Sequence, residues 1–136
     1  MIVLILLLSL YVSVLVHELG HGVMGIIAGW RVTALGTGLG RVVGSFGLGR
    51  TRVFVGLRSP FSGVTFAFAP DLLPTRWQYL LYFSGGVLFN GLMAGAALGL
   101  DALLGGDVRA LQALAFVNGM QAIGHAIPFQ AHLGAV

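Results

Sequence analysis

The chain has 136 residues, with seven basic and four acidic side chains, a formal net charge of +3 and a charged fraction of 8%. Soluble domains carry about 25% charge. Hydrophobic residues here make up 57%, which excludes an ordinary soluble surface and, equally, a polar disordered chain. Cysteine is absent, which removes disulfides, thiolate metal sites and cysteine nucleophiles together. The solvent that fits is a lipid bilayer, the length suits one small domain, and no nucleic-acid partner is expected.

Charge placement divides the chain. Arg31, Arg41, Arg50, Arg52, Arg58 and Arg76 fall in one connection with Asp71, while Asp101, Asp107 and Arg109 form a second group. The one remaining charge is Glu18. A spanning helix needs about 20 mostly apolar residues, and residues 1–30 meet this. That segment lacks a positive leader, its apolar run reaches His17, and no small-residue cleavage site follows. A removed secretory signal is therefore not expected.

Within this helix, residues 17–21 read His-Glu-Leu-Gly-His, an HExxH pattern. Positions i and i+4 share a helix face, so His17 and His21 can hold one metal ion. Glu18 stands beside them, able to take a proton from a water whose pKa zinc lowers toward 7. Gly20 keeps one side free of bulk, and Ser13 lies one turn earlier on the same face. Short patterns arise by chance and lone histidines are usually structural. Three ionisable residues in five positions of an apolar helix, however, cost several kcal/mol without a partner, and a metal supplies one.

The connection 31–76 is rich in strand signals. Arg41–Phe46 and Thr51–Leu57 flank Gly47-Leu48-Gly49-Arg50, which predicts a hairpin. Gly63–Ala69 alternates as a third strand would, and prolines 60, 70 and 74 punctuate the segment. A small sheet lying on the membrane face is the plain reading; an edge that pairs with an extended peptide is the functional one. The arginine excess places this connection in the cytoplasm. Trp30 and Trp77 mark its two junctions with the membrane.

Residues 77–100 predict a second spanning helix. Gly91, Gly95 and Gly99 repeat at GxxxG spacing, a pattern for close packing within the protomer or in a homo-oligomer. A short loop, 101–109, leads to a third helix over 110–128 and a tail over 129–136. The third helix is diluted by Gln112, Asn118, Gln121 and His125, of which the last three form one polar stripe. His17 and His125 each lie 16 residues from the outer end of their helices, at Met1 and Arg109. At 1.5 Å per residue that is a common depth of about 24 Å. The fold class expected is a mostly α integral membrane protein, one domain over 1–136, with three transmembrane helices and a small hairpin-containing cytoplasmic loop between the first and second. The C-terminus also falls on the cytoplasmic side.

HELGH in a membrane helix resembles the site-two protease family of intramembrane zinc metalloproteases. Ser84-Gly85-Gly86-Val87-Leu88-Phe89-Asn90 is similar to the family's Gly-Pro-x-x-Asn element, with Val87 in place of proline. Asn118 through Phe129 resembles the stretch leading into the family's Asn-x-x-Pro and Asp-Gly motif, with Pro128 at the proline and His125 at the asparagine. The resemblance implies a zinc endopeptidase that cuts a transmembrane protein substrate, with Glu18 as general base, His17 and His21 on Zn2+, and Asn90 on the substrate backbone or oxyanion. The family's third ligand is an aspartate shortly after that proline, and no acid follows Pro128 here. A chain that ends before the aspartate is the expected reason; His125 or His132 as substitute ligand is the alternative. Two other functions compete: an inactive relative that binds membrane segments, and a metal-ion carrier, for which three helices with one site make a poor pathway.

Overall fold

The structure is a computed structural model that describes residues 1–70 and 73–127. Its elements run α1 (Ile2–Ile27), β1 (Arg31–Leu48), β2 (Thr51–Phe68), α2 (Arg76–Leu103) and α3 (Arg109–Ala126). Helices α1 and α2 are long and apolar enough to cross a membrane. The third span expected is not shown: α3 has 18 residues but does not share that apolar content, because Gln112, Asn118, Gln121 and His125 take four of its positions.

Helix α1 ends by a glycine device. Gly29 adopts φ +79°, the Gly29 N–H donates to the Ile26 carbonyl, and the Trp30 N–H donates to the Gly25 carbonyl at 2.8 Å. Those two bonds satisfy carbonyls that a helix end leaves open, and they need a residue tolerant of positive φ. Helix α2 begins with a capping box. The Thr75 hydroxyl accepts from the Gln78 N–H, and the Gln78 side chain accepts from the Thr75 N–H at 2.7 Å. The Gln78 amide also donates to the Ala28 carbonyl at 3.1 Å, tying the start of α2 to the end of α1.

The hairpin is there, turning at Gly49-Arg50 with Leu48 opposite Thr51. Its strands are longer than the sequence implies, 18 residues each. The expected third strand, Gly63–Ala69, is no separate element: through Phe68 it is the far half of β2, antiparallel to Arg31–Thr37. A second set of partners joins Ala34–Thr37 to Arg52–Val55, so the ribbon rolls onto itself. The roll is permitted by glycine. Gly38 and Gly40 sit at φ +76°, and a Cβ on Gly38 would run into the Gly56 carbonyl.

The protein's interior is small and polar, and its outside is apolar. The buried positions of α1 include Ser9, Ser13, His17, Glu18, Gly20, Gly22 and Gly25, while Leu4, Leu8 and Ile26 face outward. This inversion suits lipid, where helices associate through close backbone contact and hydrogen bonds. Gly20 and Gly85 let α1 and α2 approach closely, a Cβ on either meeting the other's backbone carbonyl. Gly91, Gly95 and Gly99, in contrast, have no atom within 4 Å of a built Cβ among the described residues, so their stripe packs against none of those.

Asp101 differs from its expected place in a watery connection. Helix α2 runs through it to Leu103, and Asp101 is buried. Its carboxylate accepts from the Val108 N–H at 2.8 Å and from the Gln112 amide at 3.2 Å, closing the turn that starts α3.

Candidate metal centre

The three helices and β2 converge on the HELGH segment. His21 is oriented first. Its Nδ1–H donates to the Tyr82 carbonyl of α2 at 2.8 Å, which leaves the Nε2 lone pair free. That Nε2 lies 3.1 Å from Nε2 of His17. His17 is held from the other side by Asn90, whose Nδ2 donates to His17 Nδ1 at 3.3 Å and to Gln121 Oε1 at 3.1 Å. Asn90 is fully buried, and its Oδ1 has no partner among the described residues. Gly86 makes room for this arrangement, since a Cβ there would fall on the His17 imidazole.

A cavity of about 250 Å³ opens beside His17, lined by His17, Glu18, Phe61, Gly63, Gln121 and His125 among others but not by His21. Glu18 is buried, and the Thr65 hydroxyl of β2 donates to its carboxylate. His125 stands next to His17, ring centres 4.5 Å apart, with its Nδ1–H donating to the Gln121 carbonyl at 2.9 Å. A larger cavity, about 790 Å³, lies at the α1–β1 junction beside Trp30 and Arg31, away from the histidines.

Every candidate residue among those described thus has a definite place. His17, His21, Glu18, Asn90 and His125 are brought together. Asn90, however, does not line the cavity; it lies behind His17. The polar stripe of α3 splits: Gln121 and His125 reach the cavity, while Asn118 is fully buried and donates to the Leu114 carbonyl of its own helix. His132 and Pro128 lie outside the described residues. Thr65, Gly63 and Tyr82 join the site without a signal in the sequence, since a threonine in a strand and a tyrosine near a membrane boundary are ordinary.

The two HELGH imidazoles fit a metal. Each must offer Nε2 and keep its proton on Nδ1, and each Nδ1–H then needs an acceptor. His21 has one already. His17 finds one if the Asn90 and Gln121 amides are both turned end for end, so that Asn90 Oδ1 accepts from His17 Nδ1–H and from the Gln121 amide nitrogen. Among the described residues, no three metal-binding side chains stand together as a complete cluster.

Two membrane-length helices, an HExxH pair on the first and a hairpin strand over its Glu18 are thus the features that define the site. The sequence model of peptidase family M50 matches residues 5–133, and the chain belongs to this family, that of the site-two proteases. Comparison with curated protein sequences finds no match.

Proposed function

We propose that the chain is an intramembrane zinc endopeptidase that hydrolyses a peptide bond in or near a transmembrane segment of another protein. The supporting observation is the HELGH site itself: two Nε2 atoms 3.1 Å apart, with Glu18 on the cavity that His17 lines. His17 and His21 hold the ion. Bound zinc supplies a Lewis acid that polarises a carbonyl and acidifies water. Glu18 takes the proton of the attacking water and delivers it to the departing amine nitrogen. Asn90 fixes the orientation of His17 from behind, a role its burial suits better than contact with a substrate oxygen. His125, whose Nδ1–H is bonded to the Gln121 carbonyl and whose ring centre stands 4.5 Å from that of His17, is the described side chain we assign as third ligand. The three histidines do not form a complete cluster among the described residues. The substrate's backbone reaches the cavity only where its helix is unwound, since peptide groups in lipid are otherwise bonded within the helix.

Glu18→Gln is expected to keep stoichiometric zinc while cleavage of a membrane-anchored reporter falls about 10²- to 10⁴-fold. His17→Ala and His21→Ala are expected to lose the metal. Cleavage that survives Glu18→Gln with zinc bound overturns the assignment of the base. The incomplete ligand cluster motivates a second reading, an inactive relative that binds membrane segments. It predicts purified protein without stoichiometric zinc.

A further inference from the structure

The hairpin contributes to the site through one side chain that the HELGH motif does not contain. The Thr65 hydroxyl carries a single hydrogen and has two acceptors in reach, the Glu18 carboxylate and the Glu18 carbonyl at 3.2 Å. The carboxylate contact is the shorter and is charge-assisted, so it takes the hydrogen. Thr65 is itself fixed. It pairs with Leu35 across the ribbon, and its carbonyl accepts from the Tyr82 hydroxyl of α2 at 3.3 Å. Two residues earlier the backbone closes on the same group: a Cβ on Gly63 would collide with the Glu18 carboxylate. The carboxylate therefore lies between its own helix and a strand that leaves it room for one placement.

We propose that Thr65 is a positioning residue for Glu18. A glutamate has three rotatable bonds, and a general base works only when its oxygen meets the proton it removes. The Thr65 hydroxyl selects the placement at the cavity shared with His17. This rests on the reading of Glu18 as general base, and it makes β2 part of the catalytic unit.

Glu18 is the only glutamate in the chain, so glutamate labelled with 13C at the side-chain carboxyl reports this group alone. In the full chain in detergent, Thr65→Val and Thr65→Ala are expected to shift its carboxylate infrared band, and Thr65→Ser to restore it. Cleavage of a single-span reporter with a central Gly-Pro pair is expected to lose about 10- to 100-fold in kcat in the Val and Ala variants, with KM within about twofold. Serine is expected to recover kcat to within about threefold, since it keeps the donor. Zinc content is expected to stay at the wild-type value in all three. If valine does not fold, the alanine–serine contrast carries the test. An unmoved band, an unchanged kcat without the hydroxyl, or an equal loss in the serine variant overturns the proposal. Failure of the parent reading has a different signature: Glu18→Gln cleaves normally while the Thr65 band shift persists.

Discussion

Glycine decides where this site's imidazoles can stand, and two positions make the point testable. At Gly86 an added methyl would fall on the His17 ring. Helix α2 itself tolerates alanine better than glycine, by up to about 1 kcal/mol, so Gly86→Ala is expected to leave the helix intact and turn His17 off the metal. Zinc affinity, measured by competition with a chelator, is expected to fall about 10- to 100-fold, as when an orienting neighbour of a ligand is lost. Gly124→Ala serves as the control. It lies on α3 with no atom of the described residues near its built Cβ, and its stability and zinc affinity are expected to stay within about 0.5 kcal/mol of wild type. An equal loss in both variants would show that Gly86 acts through helix packing in general and not through His17.

At the scale of elements, the legible parts are those whose signal is local. The apolar runs around Leu4–Val16 and Leu80–Leu100 announce α1 and α2, and Gly47-Leu48-Gly49-Arg50 announces a turn. The length of β1 and β2 is not legible, because Arg41, Gly44 and Gly47 interrupt the alternation and the roll depends on contact between distant segments, Gly38 against Gly56. The same limit hides Thr65: its role comes from lying over Glu18, 47 positions away in sequence. HELGH is legible because both histidines lie on one turn. The role of Asp101 is not, since a charge between an apolar helix and a Gly-Gly turn reads as solvent-exposed. Its two oxygens instead serve Val108 and Gln112. Asp101→Ala leaves the Val108 N–H without its partner, while the Gln112 amide keeps the Gly106 carbonyl, and is expected to cost about 1–3 kcal/mol, read as a lower melting temperature in detergent. Asp101→Asn keeps one acceptor for the Val108 N–H and is expected to cost less. A melting point unchanged by alanine would mean that water replaces the carboxylate and that the turn holds by its backbone alone.

At the scale of the whole molecule, orientation follows from where charge can be tolerated. Six arginines lie between residues 31 and 76, against one in the segment after α2. Arginine-rich short connections stay in the cytoplasm, because carrying each cation across the bilayer is costly. We propose on this ground that the hairpin faces the cytoplasm and the α2–α3 turn the opposite side. On that proposal the hairpin wall, Thr65 and Gly63, meets Glu18 from the cytoplasmic side. The absence of cysteine makes the assignment open to a clean measurement. Gly47 is exposed near the hairpin tip with no neighbour at its Cβ, and Asp107 is exposed in the α2–α3 turn. In intact cells a membrane-impermeant maleimide is expected to label Asp107→Cys and to spare Gly47→Cys until the membrane is opened. Labelling of Gly47→Cys from outside would invert the topology. The HELGH face and its hairpin wall would then open to the outer compartment, and the substrates in reach would be those whose unwound segment lies on that side.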